Sequence, residues 1–194
     1  MRDAAIVYTA RTAIGKAYRG ALNDTEAPVI SAHVVDAALS RAGTDPARVD
    51  DVYLGCGNHW NTQSYNLGRL TVHTSRLPNT VGGFVLDRKC SSGLNAIALA
   101  ACSIICDEID VAMAGGVESV SLTLNKHAPA FRNRSQAVIA ADPYAYMVML
   151  ETAEVVAERY GITREAQDRF AALSQQRAGA AQAAGRFDAE IAPI

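Results

Sequence analysis

Short apolar runs alternate with segments of helical periodicity up to residue 120, and this alternation restricts the fold more than any other feature of the sequence. Four apolar runs predict strands: 4–10, 51–55, 80–90 and 109–119. The segments between them space their apolar residues near every 3.6 positions and predict helices: 26–43, 61–76 and 91–108. Strands that alternate with helices favour the α/β class, with a mainly parallel sheet covered by helices on both faces.

The pattern changes after residue 120. Residues 124–151 have mixed polarity and no clear period, which predicts a loop-rich insertion. Two helices are expected next: one stops at Gly161, and the other begins after an N-cap at Thr163 and stops at Gly185. Residues 186–194 resemble the start of a further strand. We therefore divide the chain into a first domain, 1–120, and a second part, 121–194. The face predicted to be buried on the last helix comprises Ala166, Phe170 and Leu173.

Composition excludes several classes of function. The net charge is −2, and no cationic tract is present, which argues against nucleic acid and membrane surfaces as partners. No window reaches the ~18 consecutive apolar residues of a membrane span, and the first residues predict a strand rather than a signal peptide. The four cysteines lack the close pairs of a zinc site, so we predict no metal, reduced thiols and a cytoplasmic protein.

One of those cysteines lies at the predicted junction between a strand and a helix. If the helix begins near Ser91, Cys90 sits at or next to its N-cap. Unpaired N–H groups and the positive end of the helix dipole there favour a thiolate over a thiol and can bind a developing oxyanion. Of the neighbouring cations Arg88 and Lys89, at most one can lie near the sulfur. A nucleophilic cysteine and a buried structural cysteine are the two interpretations, and the junction favours the nucleophile.

The helix that follows Cys90, predicted over 91–108, has an apolar stripe of its own. Its members are Leu94, Ile97, Ala98, Ala101, Ile104 and Ile105. Elsewhere, Glu118 is predicted to be structural. Asn66 and Arg69 either tie their helix to neighbouring backbone or face a subunit interface.

The segment "KCSSGLNAIALA" around Cys90 resembles the nucleophile segment of the thiolases. Other segments are similar to that family in the same order: "ARTAIGKAYRGAL" at 10–22, "AGGVESVS" at 114–121, and nearly all of 152–194. The resemblance covers essentially the whole chain. It implies a layered thiolase-like α/β fold with part of a helical loop domain.

The resemblance also implies a function. Thiolases make or cleave 3-ketoacyl-CoA, and Cys90 would carry the acyl group as a thioester while its backbone N–H binds the thioester oxygen. A coenzyme A thioester would be the substrate, with no bound cofactor. Met149 corresponds to a residue that lines the acyl pocket. The other interpretation of Met149 is plain hydrophobic packing. Val148 and Leu150 depart from the family pattern there.

Parts of the thiolase machinery are not in this sequence. The family takes a histidine from a Gly-His-Pro motif and a second cysteine from a Cys-x-Gly motif, and neither motif occurs here. The expectation is an N-terminal half, either one subunit of a split enzyme or a fragment, that associates with a complementary C-terminal half, the completed unit then forming a dimer or tetramer. The alternative is a non-catalytic thiolase-like scaffold or partner-binding subunit.

Overall fold

The computed structural model describes residues 2–194, and these residues form two compact units. The first unit runs to Ala128 and also includes Glu190–Ile194. The second unit is Pro129–Ala189.

A parallel sheet of three strands lies at the centre of the first unit. The strands are β1 (Asp51–Gly55), β2 (Gly82–Leu86) and β3 (Ala112–Gly116), in the order β2-β1-β3. Both pairings are parallel, and Asp51 stands opposite Gly82 on one side and Ala112 on the other. The carboxyl ends of all three strands therefore meet at one edge of the sheet.

Helices cover both faces of this sheet. Val52 of β1 is buried with Leu39 of α1 (Ala27–Ala42) and Val72 of α2 (Leu67–Thr74). The next residue, Tyr53, points the opposite way, and its hydroxyl donates to Ser103 Oγ of α3 (Ser92–Ile105) over 3.0 Å. The predicted α/β class with a parallel, helix-covered sheet is confirmed.

Several helices begin or end at the residues that the sequence predicts. α1 ends at Gly43, whose φ of 61° is the left-handed conformation that glycine adopts without cost. α2 is shorter than the predicted 61–76 and begins after Asn66, whose side chain caps it. Asn66 also donates to Gly83 O over 2.7 Å, and Arg69 donates to Asn79 O over 2.9 Å and to the carbonyl of Val81. Both side chains thus tie α2 to neighbouring backbone.

The remaining helices are α4 (Val120–Thr123) in the first unit and three in the second unit: α5 (Gln136–Ala141), α6 (Met149–Tyr160) and α7 (Arg164–Ala183). Thr163 caps α7 as predicted, accepting from Ala166 N over 3.2 Å. The expected loop at 124–151 is wrong in part, because it contains α5. Ser135 accounts for this helix, since its hydroxyl caps the first turn.

The predicted first strand is wrong. Residues 4–10 form no strand, and Ile6 and Val7 are exposed. This segment lines a cavity of about 900 Å³ together with β3, and within residues 2–194 β3 pairs only with β1. Only Arg11 is bridged, in parallel to Ile191. The strand expected at 186–194 is reduced to the same bridge, with Ala192 N donating to Arg11 O over 2.8 Å.

The buried face predicted on α7 is wrong, since Phe170 is 77% exposed. The apolar stripe of α3 is not its buried face either: the buried residues are Ser92, Ala96 and Ala100, whereas Leu94 is 74% exposed. The apolar spacing identifies a face that avoids water, but within residues 2–194 no second layer covers that face.

The first turn of α3 packs directly on the end of β1. A Cβ built on Gly55 would lie 2.3 Å from the carbonyl carbon of Ser92, a distance that no real side chain tolerates. A Cβ on Gly115, in the adjacent strand, would meet nothing within 4 Å. Glycine at position 55 is therefore required for the helix to reach the sheet.

We expect Gly55→Ala to lower the free energy of unfolding by about 1–3 kcal/mol, because α3 must move to admit the methyl group. Gly115→Ala is the matched control and should change it by less than about 0.5 kcal/mol. Urea denaturation followed by circular dichroism measures both. Equal effects from the two variants would contradict the close packing of α3 on β1.

Candidate active site

Cys90 lies in a short 3₁₀ turn, Lys89–Ser91, between β2 and α3, and its side chain is exposed. The prediction that β2 reaches Cys90 is wrong, since the strand ends at Leu86. The chain has to leave the sheet plane before it enters α3, which ends the strand pairing. The N-cap of α3 is Ser91, so Cys90 lies next to the N-cap, as predicted.

The serines that follow Cys90 do not cap α3. The Ser91 hydroxyl donates back to Arg88 O over 2.9 Å, and the Ser92 hydroxyl donates to Lys89 O over 2.6 Å. The Ser91 side chain makes no capping bond to α3. The Ser92 N–H donates to Lys89 O, so the 3₁₀ turn continues directly into the helix, and the positive end of the helix dipole lies beside an exposed thiol.

The residue before Cys90 has an unusual backbone. Lys89 has a φ of 49°, in the left-handed region that costs a side chain about 1–2 kcal/mol. Four contacts hold it there. Lys89 N donates to Asp87 Oδ1 over 2.7 Å, the ammonium donates to Asp87 Oδ2 over 2.5 Å and to Gly57 O over 2.9 Å, and Lys89 O accepts from Ser92.

The loops after β1 and β3 are tied to this turn. Gly57, after β1, donates its N–H to Glu118 Oε2 over 2.9 Å. Gln63 is fully buried and donates to Glu118 Oε1 and, over 2.7 Å, to Asn58 O, while Ser119 N donates to its carbonyl oxygen. Gln63 thus satisfies its own polar atoms and fixes the Glu118 carboxylate against Gly57.

Both cations next to Cys90 have other partners. Arg88 donates to Asn95 Oδ1 over 2.9 Å, and Lys89 pairs with Asp87. Burial raises the pKa of the Asp87 carboxyl, but the hydrogen bonds and the charge of Lys89 outweigh it, so the pKa lies below its usual value. The Asp87 carboxylate therefore stabilises the fold above its ordinary pKa, and this contribution is lost as the pH falls through the lowered value.

Cys56, close to the same network, is a different kind of thiol. It is 1% exposed, and its Sγ lies 3.2 Å from Gln63 Nε2. Burial raises the pKa of the Cys56 thiol to about 11, assisted by the negative charges of Glu118 and Asp87 and opposed by the hydrogen bond to Asn58. Cys56 therefore stays protonated at neutral pH. Cys102 and Cys106 are exposed.

Met149, the other site residue predicted from the sequence, is the first residue of α6 in the second unit, and its side chain is exposed. Its role as a pocket wall stays a prediction. Sequence reasoning missed Gln63 and Asp87. Their signal was available in part, because both follow strands whose carboxyl ends must share an edge of a parallel sheet.

Two searches within residues 2–194 are negative. None of the helices there is both long enough and apolar enough to cross a membrane. The side chains of that part of the chain also bring together no group of three or more histidines, cysteines or carboxylates with the geometry of a metal site.

The fold and the site together define an α/β protein that exposes a cysteine thiol at the N-terminal end of a helix. Residues 4–194 match the family model of the thiolase N-terminal domain. The chain is 40% identical to a 3-ketoacyl-CoA thiolase of Bacillus subtilis over 195 residues, and 39% identical to an acetyl-CoA acetyltransferase of Cupriavidus necator over 208 residues. All of this chain is covered in both comparisons, with 49% and 51% of those proteins.

A 3-oxoadipyl-CoA/3-oxo-5,6-dehydrosuberyl-CoA thiolase of Escherichia coli is 37% identical over 209 residues, which cover all of this chain and 52% of that protein. The chain thus spans about half the length of the curated relatives it matches. It belongs to the thiolase family and corresponds to the N-terminal half.

The two thiols near the turn should differ sharply in reactivity. At pH 8, iodoacetamide should alkylate Cys90 and leave Cys56 unmodified, because a pKa of about 11 leaves Cys56 about one part in a thousand thiolate and burial blocks access. Peptide mass spectrometry measures each site. In urea, which unfolds the chain, Cys56 and Cys90 should be alkylated to the same extent. Alkylation of Cys56 in the folded protein at a rate like that of Cys90 would contradict the structure.

Proposed function

We propose that this chain carries the nucleophile of a thiolase-type acyltransferase acting on acyl-CoA or 3-ketoacyl-CoA. One observation carries the proposal: the exposed sulfur of Cys90 stands beside the uncapped first turn of α3, in a chain that corresponds to the N-terminal half of the thiolases. A buried cysteine, such as Cys56, would not support it.

In the proposed reaction, the Cys90 thiolate attacks the carbonyl carbon of the acyl-CoA thioester. The carbonyl oxygen becomes an oxyanion, the bond from carbon to the coenzyme A sulfur breaks, and coenzyme A leaves as a thiol after taking up a proton. The acyl group remains on Cys90 as a thioester. It then passes to a second nucleophile, either coenzyme A or the α-carbon of a second thioester.

Backbone N–H groups of the same turn supply the oxyanion site. Cys90 is the second residue of its 3₁₀ turn, and such a turn provides no carbonyl for the N–H at that position. This donor and the positive end of the α3 dipole act on charge that develops in the transition state. The cations Arg88 and Lys89 do not contribute directly, since both are engaged with Asn95 and Asp87.

The base that deprotonates Cys90 and the second catalytic cysteine are assigned to a complementary C-terminal half. The half-length match to the relatives supports this, as do the apolar residues left exposed on α3, namely Leu94, one turn from Cys90, and Ile97 and Leu99 further along the helix. Soluble proteins seldom leave such a cluster uncovered beside a reactive group.

The finer features follow from the family. Met149 is proposed to line the acyl pocket of the completed unit, and the completed unit is proposed to form a dimer or tetramer. Coenzyme A thioesters are substrates rather than bound cofactors, and the cytoplasm, where thiols stay reduced, is the proposed compartment.

Acylation of Cys90 tests the proposed reaction. The chain is mixed with the C-terminal half of the Bacillus subtilis relative and incubated with acetyl-CoA, and peptide mass spectrometry should find one acetyl group on Cys90. Cys90→Ser should lose the adduct. Cys102→Ser, which removes another exposed thiol from the same helix, should keep it. Coenzyme A binding without an adduct would instead favour the scaffold alternative.

Assembly through α3 is a separate prediction. Leu94→Asp should weaken association with the same C-terminal half by about tenfold or more, because the charge would be buried at an apolar contact. Val29→Asp is the control, since Val29 is likewise exposed but lies on α1, across the sheet. Sedimentation velocity measures both. Equal affinities for the two variants would remove α3 from the interface.

A further inference from the structure

We propose that Lys89 and Glu118 are a positioning pair, which holds the turn before Cys90 in its left-handed conformation and so fixes the sulfur at the entrance of α3. The inference rests on the proposed role of Cys90 as the nucleophile. Neither side chain is assigned a contact with substrate.

The first step of the argument is the backbone. A lysine at φ 49° is strained, and such a conformation persists only where surrounding contacts impose it. The Lys89 ammonium bonds to Gly57 O over 2.9 Å, which links the turn after β2 to the loop after β1. This is the only hydrogen bond that the described residues show between Lys89 and the loop after β1, so its loss favours relaxation of φ to a negative value.

The second step is the support of Gly57 itself. Its N–H donates to Glu118 Oε2 over 2.9 Å, so the peptide groups on both sides of Gly57 are fixed, one by Glu118 and one by Lys89. The buried Gln63 holds the other oxygen of Glu118. The position of the Lys89 ammonium therefore depends on a carboxylate from the loop after β3.

The third step is the consequence for the thiol. Cys90 follows Lys89 directly, and the favourable effect of a helix N-terminus on a thiolate falls off within one turn. Rotation at Lys89 moves Cys90 relative to the N–H groups of α3. Loss of the pair should therefore slow reactions of Cys90 without unfolding the sheet.

Two substitutions at one position separate positioning from charge. Lys89→Met and Lys89→Gly both remove the ammonium, but only glycine adopts a positive φ without strain. We expect Lys89→Met to slow alkylation of Cys90 by iodoacetamide by about two- to fivefold, relative to Cys102 in the same molecule. Lys89→Gly should stay within about twofold of the parent. Equal slowing by both would overturn the proposal.

Glu118→Gln provides a second test of the proposal. The amide offers one acceptor oxygen to two donors, the Gly57 N–H and the Gln63 NH₂ group, so one of the two bonds that Glu118 accepts is lost. Glu118→Gln should slow alkylation of Cys90 when Lys89 is present. In the double variant with Lys89→Gly, it should cause no further slowing. Glu108→Gln, at an exposed carboxylate beyond the end of α3, is the matched control. The same slowing in both backgrounds would overturn the link between Glu118 and Lys89.

The experiment does not depend on acyl transfer. Iodoacetamide needs neither coenzyme A nor a second half, so absence of an acetyl adduct and absence of the alkylation pattern are separate results. Alkylation of the buried Cys56 reports unfolding in each variant. Because Lys89 is exposed, its two substitutions test the proposal even if Glu118→Gln unfolds the chain.

Discussion

The contact between the first turn of α3 and the carboxyl edge of the sheet determines the geometry of the candidate site. Gly55 allows the Ser92 backbone to approach to a distance at which any Cβ would clash, and a Cβ on Gly116 would lie 3.0 Å from Gly93 Cα. With the helix held this close, only five residues, 87–91, connect β2 to α3. So short a connection turns sharply, and the sharp turn falls at Lys89, immediately before Cys90.

The conformational strain at Lys89 and the hydrogen bonds that oppose it have small energies of similar size. The left-handed Lys89 costs about 1–2 kcal/mol, whereas each hydrogen bond that holds it contributes about 0.5–1.5 kcal/mol. The ion pair with Asp87 is largely exposed on the lysine side and contributes less than a buried one would. Several bonds together are thus needed to offset the strain, and a single bond would not suffice. This explains why loops from all three strands converge on one turn.

The sequence predicted what local chemistry decides. The glycine stops at Gly43 and Gly161, the Thr163 N-cap and the bounds of β1 are each set by residues within one turn or one strand. The network of Gln63, Glu118 and Lys89 was not predictable in the same way, because its members are separated along the chain and meet only through the strand order. Periodicity identified Leu94 and Phe170 as apolar-face residues but could not reveal that this chain leaves them exposed.

The exposed face of α3 links assembly to chemistry in the proposed enzyme. Leu94 lies one turn from Cys90, so a partner that covers the apolar stripe also removes water from the surroundings of the sulfur. Lower local polarity strengthens the interaction between the helix N-terminus and a thiolate or an oxyanion. Binding of the second half would then do more than deliver missing residues, because the same buried surface that stabilises the assembly would increase the electrostatic effect of residues already present in this chain.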